Sequence, residues 1–130
     1  MELVYDSGAL IAAERGDGEF AAFNRTMIRA GILPRVPTTV LAQVWRGGPR
    51  QALLSIMLRG CDITPLDEDT ARLAGVLCGR AGTSDIVDAG VVILAVQHRA
   101  NIATSDRGDI TKLLDALDPP PNPRPLIFDV

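Results

Sequence analysis

The sequence predicts a three-layer α/β fold, in which helices cover both faces of a largely parallel sheet. Short β-prone runs alternate with helical runs along the whole length of 130 residues, and this alternation is typical of parallel sheets. Hydrophobic residues make up 47% of the chain and charged residues 22%, which is the balance of an ordinary globular protein. The length fits one domain spanning residues 1–130.

The overall charge and the cysteine content limit the classes of function. The formal net charge of −3 excludes a uniformly basic nucleic-acid binder, so any phosphate-binding surface has to be local. No apolar run reaches the roughly 18 residues that a membrane span needs. Two cysteines do not form a disulfide framework, so we expect a protein of the reducing cytoplasm that does not insert into a membrane.

The first half of the chain contains three predicted strands, each followed by helix. The strands are at residues 2–5, 33–36 and 61–64, and the helices are at 9–14, 18–30, from 37 onward, and 50–58. Asp6, Ser7 and Gly8 end the first strand in a turn. After the second strand, Pro37 opens a helix that Thr38 or Thr39 can cap.

The second half continues the same alternation. The strands are predicted at residues 101–104 and 126–130, and the helices at 67–79, 85–98 and 110–117. Three acids beginning at Asp67 occupy the first turn of their helix, where they complement its dipole. Thr83 and Ser84 are expected to cap the helix that follows, and Asp109 the last one.

Four acids are candidates for chemistry because of where they lie relative to the strands. Asp6 follows the first strand and Asp106 follows the strand at residues 101–104. The carboxyl ends of parallel strands form the reactive edge of such a sheet, so both acids should lie there. Asp85 and Asp88 are three residues apart near the start of one helix and share a face. Each acid alone could be structural, Asp85 as a helix cap and Asp106 as a turn residue.

Three or four carboxylates at one edge repel each other unless a cation lies between them. Carboxylate oxygens suit hard divalent ions, so the expected cofactor is Mg²⁺ or Mn²⁺. The chain has a single histidine and two cysteines that are far apart, Cys61 and Cys78, which do not resemble a zinc site.

Four segments together resemble the PIN-domain family, and within it the VapC toxins of VapBC toxin–antitoxin modules. The segments are VYDSGAL at residues 4–10, VPTTVLAQV at 36–44, DIVDAGVV at 85–92 and ATSD at 103–106. Each segment is short. Their order and spacing carry the resemblance, which covers nearly the whole chain.

The resemblance implies a metal-dependent endoribonuclease with a twisted, parallel, five-stranded sheet. The four acidic positions of the family fall on Asp6, Gln43, Asp88 and Asp106. Asp6, Asp88 and Asp106 are thus expected to be catalytic and to bind Mg²⁺ or Mn²⁺. Ser7 and Thr104 match the hydroxyl residues that accompany the first and last acids.

Gln43 departs from the family, which usually has glutamate there. In one interpretation Asp85 supplies the missing charge, Gln43 contributes its amide oxygen and the enzyme is active. In the other, the site binds metal weakly and the chain is a catalytically weak module that binds RNA or a partner. We favour the first, because three matching acids remain with an additional one beside them. A phosphatase-like or response-regulator-like domain is a third class, but it lacks the helix-borne acid pair.

The expected partners are RNA, a small VapB-type antitoxin and a second copy of the chain. Arginine binds phosphate through its planar guanidinium, so Arg46, Arg50 and Arg107 are candidates for holding RNA, with solvated helix faces as the structural alternative. Trp45 is a candidate for stacking on a base, although packing against a helix or a partner is the simpler interpretation. The family places its dimer interface and antitoxin groove on the first helices, which are rich in apolar residues.

Overall fold

The computed structural model describes residues 1–130 and contains one five-stranded sheet. The strands are β1 (Glu2–Tyr5), β2 (Arg35–Pro37), β3 (Asp62–Thr64), β4 (Ala100–Thr104) and β5 (Ile127–Asp129). Their order across the sheet is β3-β2-β1-β4-β5, and every neighbouring pair is parallel. All five carboxyl ends therefore meet at one edge, as the predicted fold class requires.

The central strand β1 is buried on both faces. Leu3, Val4 and Tyr5 are each fully buried, and successive side chains of a strand point to opposite faces. Such burial requires layers on both sides of the sheet, which confirms the predicted three-layer arrangement. In register, Tyr5 pairs with Ala103 of β4, so the residues that follow these two strands emerge side by side.

Seven α-helices pack around the sheet. They are α1 (Ser7–Glu14), α2 (Gly18–Arg29), α3 (Thr38–Val44), α4 (Ala52–Leu58), α5 (Glu68–Ala81), α6 (Ile86–Gln97) and α7 (Arg107–Asp115). A 3₁₀ turn at Pro49–Gln51 leads into α4. Helix α1 packs against α2, α3 and α4, whereas α6 packs against α3, α5 and α7. No helix has the length and apolar character needed to cross a bilayer.

Helix starts are where the sequence prediction was wrong. Helix α6 is capped by Asp85 rather than by Thr83 or Ser84, and the Thr83 hydroxyl instead accepts a hydrogen bond from the Asp85 backbone N–H. Neither Thr38 nor Thr39 caps α3, whose N-cap is Pro37 without a side-chain bond. The cause is tertiary, since the Thr38 hydroxyl accepts from the backbone N–H of Leu66.

The last helix begins three residues earlier than predicted. Asp106 is its N-cap and accepts from the backbone N–H of Asp109 at 3.4 Å, so Asp109 lies inside the first turn. The predicted cap was therefore one helical turn too late. This shift matters for the site, because it turns the side chain of Asp109 toward the same edge of the sheet as Asp106.

Candidate metal site at the carboxyl edge of the sheet

Asp6 is the most deeply buried acid at the carboxyl edge. It follows β1, caps α1 and is 2% exposed. Its Oδ1 accepts a 2.7 Å hydrogen bond from the backbone N–H of Ser7, and its Oδ2 accepts one of 2.7 Å from the Thr104 hydroxyl. The two bonds fix the carboxylate in one orientation, and each oxygen keeps a lone pair for another ligand.

Thr104 connects the two predicted strand-end acids. Its hydroxyl donates to Asp6 and at the same time accepts a 3.0 Å hydrogen bond from the backbone N–H of Asp106. The parallel pairing of β1 and β4 sets this arrangement, because it aligns the ends of both strands. The structure thus places Thr104 beside Asp6 and Asp106, where the PIN-domain resemblance expected a hydroxyl residue.

The close approach of α1 to the turn after β4 depends on Gly8. A Cβ added at this position would lie 2.3 Å from the Oγ of Ser105 and 2.8 Å from its backbone nitrogen. Real Cβ atoms do not approach backbone atoms this closely, so only glycine allows the contact. Gly8 therefore lets the start of α1, with Asp6, lie against the segment that carries Asp106.

Helix α6 brings a second acid pair to the same edge. Asp85 caps the helix by accepting a 3.1 Å hydrogen bond from the backbone N–H of Asp88. Asp88 lies in the first turn, is only 8% exposed, and its carboxylate receives no hydrogen bond from any protein donor. A buried carboxylate without a donor is costly, so Asp88 is the residue whose surroundings most need explanation.

Asp109 joins Asp88 and Asp106 in a compact cluster. Carboxylate oxygens from these three residues all lie within 4.8 Å of one another. Asp85, Asp88 and Asp109 also line one small cavity together with Lys112. Sequence reasoning treated Asp109 as a helix cap and did not single out Lys112. The available signal was the three-residue spacing from Asp106, which repeats that of Asp85 and Asp88.

The electrostatics of the cluster are those of crowded carboxylates. Burial, followed by the negative charges of Asp6, Asp85 and Asp106, raises the pKa of Asp88 to about 7. Burial also raises the pKa of Asp6, although its hydrogen bonds from Thr104 and Ser7 oppose the shift. The interaction with Asp106 raises the pKa of Asp109. The neighbouring negative charges make ionisation of each carboxyl group costly. A cation among them would instead favour the ionised form of every carboxyl group.

The donor set fits a hard divalent cation. Every charged donor is a carboxylate oxygen, with no thiolate or imidazole among them, and this chemistry suits Mg²⁺ or Mn²⁺ rather than Zn²⁺. The buried Asp88 carboxylate faces two further carboxylates instead of a hydrogen-bond donor. A cation among these carboxylates would neutralise several negative charges at once.

Gln43 lines a different cavity. We call it the α3 pocket, a depression of about 310 Å³ lined by Ser7, Ile11, Glu14, Gln43, Arg46 and Gln51 together with Val44. None of the five aspartates at the carboxyl edge lines this pocket. The acid that lines this pocket is Glu14 of α1, whose carboxylate accepts a hydrogen bond from Gln51.

The three predicted RNA-binding arginines have different surroundings. Arg107 is already engaged, because its guanidinium pairs with Asp129 at 2.9 Å and donates to the carbonyl of Ile127. Arg46 and Arg50 form no ion pair. Arg46 lines the α3 pocket, and its guanidinium donates only to the carbonyls of Trp45 and Ala42. The guanidinium groups of Arg46 and Arg50 are therefore available for phosphate. Arg107 instead connects α7 to β5.

The sequence matches no family model and no curated protein. The fold, in contrast, matches solved structures. A chain of VapBC2 from Rickettsia felis, crystallised with a DNA fragment from its promoter, superposes with a TM-score of 0.75 at 12% identity, covering 100% of this chain and 99% of that one. The chain shares this fold.

Two further structures agree. A chain of FitAcB from Neisseria gonorrhoeae has a TM-score of 0.65 at 16% identity and covers 97% of this chain and 96% of its own. A chain of FitAB bound to an IR36 DNA fragment has a TM-score of 0.63 at 16% identity, covering 98% of this chain and 94% of that one. These matches confirm the fold that the PIN-domain resemblance implied, over almost the full length of each chain.

Proposed function

We propose that this chain is a metal-dependent endoribonuclease of the PIN-domain family, and that it acts in the cytoplasm as the toxin of a toxin–antitoxin module. The observation that carries the proposal is Asp88, a buried carboxyl group that faces other carboxylates at the carboxyl edge of a parallel sheet. The fold shared with VapBC2 and FitAB chains supports the same assignment.

In this proposal Asp6, Asp88 and Asp106 hold Mg²⁺ or Mn²⁺, and Asp109 is a fourth carboxylate ligand. A divalent cation held there supplies positive charge opposite the phosphodiester and acidifies water at neutral pH. Thr104 and Ser7 keep the Asp6 carboxylate oriented. Asp85 adds negative charge next to Asp88 while it caps α6.

The chain could also be a catalytically weak binding module, the alternative that Gln43 raises. The cluster of Asp88, Asp106 and Asp109 favours an active enzyme instead, since it holds three carboxylates without any contribution from α3. In this proposal Asp109 of α7 compensates for the charge that is missing at Gln43. This differs from the expectation that Asp85 compensates and Gln43 binds the metal.

The proposed partners are RNA, an antitoxin and a second copy of the chain. The structures with the same fold are VapBC and FitAB complexes, which supports an antitoxin of the VapB type. A groove of about 390 Å³ between α1, α2 and α4 is available for it. Leu53 and Ile56 line this groove and are 53% and 60% exposed, as expected of a surface that a partner covers.

Cleavage of a structured RNA by the purified chain tests the proposal. We expect cleavage in Mg²⁺ or Mn²⁺, none after chelation, and a loss of at least about a hundredfold in rate for Asp6→Ala or Asp88→Ala. Asp69→Ala is the matched control, because Asp69 is an exposed first-turn acid of α5. If Asp6→Ala cut RNA as fast as the wild type, another site or a contaminant would be responsible and the proposal would fall.

A further inference from the structure

On the premise of the proposed nuclease function, we infer that the α3 pocket binds one nucleobase of a single-stranded RNA, beside the phosphate held at the acid cluster. Ser7 connects the pocket to the acid cluster. Ser7 lines the pocket and directly follows Asp6, whose carboxylate its backbone N–H orients. A nucleotide chain lying across the acid cluster therefore reaches the pocket by way of Ser7.

The walls of the pocket have the chemistry of a base-binding site. Ile11 provides an apolar surface, and Gln43 offers an amide that both donates and accepts hydrogen bonds. The Glu14 carboxylate uses Oε1 to accept from Gln51 and keeps Oε2 for another donor. A few convergent polar groups on an apolar wall are typical of small-ligand sites, and a volume of about 310 Å³ lies at the small end of their usual range.

The loop beside the pocket is held in place by a buried side chain. Gln51 is only 4% exposed, and its amide makes four hydrogen bonds. Its Oε1 accepts from the backbone N–H groups of Arg46 and Gly47 at 2.8 and 2.9 Å, and its Nε2 donates to the carbonyl of Val44 and to Glu14. The loop from Val44 to Gln51 is thereby tied to α1 in one conformation, which reduces the entropy lost on binding.

This fixed loop presents groups that suit RNA. Trp45 is 42% exposed, although a tryptophan is usually well buried. Arg46 and Arg50 lie on the same loop without an ion pair, in a chain whose net charge is negative. Single-stranded RNA is bound by such combinations, with bases stacked on aromatic rings and phosphates paired with arginine. The exposed aromatic ring and the unpaired arginines together favour RNA, and a protein partner is the other occupant that the test distinguishes.

Trp45 is the only tryptophan of the chain, and its fluorescence therefore reports directly on this surface. The experiment titrates a single-stranded RNA octamer of mixed sequence into the full chain in Ca²⁺, with a gel afterwards to verify that the RNA is intact. We expect saturable quenching, with the affinity reduced about tenfold by Arg46→Gln and by Gln43→Leu. Arg72→Gln is the matched control, because it removes the same charge from α5, whose neighbours are α6 and α7.

The cleavage assay tests the nuclease proposal, and the quenching assay tests the base site, so either proposal can fail without the other. If the wild type did not cut RNA but kept quenching that depends on Arg46, the nuclease proposal would fall and the base site would stand. Equal quenching in Arg46→Gln, Gln43→Leu and Arg72→Gln would place the RNA elsewhere and overturn the base site. If RNA did not quench Trp45 at all, the base site would also be overturned. Quenching by a purified antitoxin but not by RNA would show that this surface binds the protein partner. Arg46→Gln alters an exposed side chain, so its melting temperature should match that of the wild type.

Discussion

The hydroxyl of Thr104 donates a 2.7 Å hydrogen bond to the carboxylate of Asp6, a residue 98 positions away in the sequence. The same hydroxyl accepts from the backbone N–H of Asp106. Because one small side chain contacts both strand-end acids, it fixes their relative position at the edge of the sheet. A residue of the same shape without the hydroxyl would leave the buried Asp6 carboxylate with one donor fewer.

Replacing Thr104 with valine tests this relationship. Thr104→Val keeps the shape and should lower the free energy of unfolding by roughly 1–3 kcal/mol, since a buried acceptor loses its donor. It should also raise the pKa of Asp6 further, because the Thr104 bond now lowers it. Urea unfolding measures the first effect. Thr26→Val is the control, because the Thr26 hydroxyl is exposed and donates only to the carbonyl of Ala22. Equal stability of the two variants would contradict the role of Thr104.

The contact between Gly8 and Ser105 predicts intolerance of a single methyl group. Gly8→Ala should lower the free energy of unfolding by about 1–3 kcal/mol, because the Cβ would overlap the Ser105 backbone and force α1 away. Gly18→Ala, at the start of α2, has nothing within 4 Å and should be neutral or stabilising by about 0.4–1 kcal/mol. Chemical unfolding of both variants checks the contrast, and comparable effects would remove Gly8 as the reason for the close approach.

The raised pKa of Asp88 predicts how stability depends on pH when no metal is bound. Between about pH 4 and pH 7 the folded chain keeps a proton on Asp88 that the unfolded chain has released. The free energy of unfolding should therefore fall as the pH rises through this range, with the full loss above pH 7.

Asp88→Asn should reduce this slope, and the raised pKa values of Asp6 and Asp109 should account for what remains. At pH 8 the variant should be more stable than the wild type by on the order of 2–4 kcal/mol, because the amide carries no charge to bury. Thermal unfolding in EDTA from pH 4 to pH 8 measures the effect, with Asp69→Asn as the exposed control. If stability depended on pH in the same way for the wild type and Asp88→Asn, ionising Asp88 would cost the folded chain no free energy, and the prediction would be wrong.

The position of Asp109 in the cluster predicts different responses to Mn²⁺ for two variants. Asp109→Asn should reduce the Mn²⁺-induced rise in melting temperature, because each tenfold loss of affinity removes about 1.4 kcal/mol at saturating metal. Gln43→Glu should leave the rise unchanged, because its charge enters the α3 pocket rather than the cluster. Asp69→Asn again serves as the control. A larger rise for Gln43→Glu than for the wild type would show that position 43 on α3, and not only Asp109, contacts the metal.

The sequence was sufficient for the sheet and insufficient for the helix starts. Strand β1 lies where it was predicted, and β4 differs from the prediction by one residue, because apolar runs that end in a turn have few alternatives. Helix caps were less certain, since several adjacent residues are good caps. Asp85 is the N-cap of α6 instead of Thr83, because the end of α5 fixes where α6 can begin. In the same way the end of β4 fixes the start of α7, whose N-cap is Asp106 instead of Asp109.

The composition of the site was predictable only in part. Strand-end position identified Asp6 and Asp106, and the helical spacing identified Asp88. The three-residue spacing places Asp109 near Asp106, but its approach to Asp88 depends on how α7 packs against α6. Gln51 was missed for a similar reason. It resembles an ordinary helix residue until the fold places its amide between the loop and α1.

The placement of β1 next to β4 has a consequence for synthesis. The two acids joined by Thr104 lie 100 positions apart in the sequence, so no fragment that ends before β4 and Asp106 can contain a complete site. A chain emerging from a ribosome gains the site only after β4 and the start of α7 have left the exit tunnel and paired with β1. If the chain cuts RNA, a nascent chain gains that activity only once this pairing has formed.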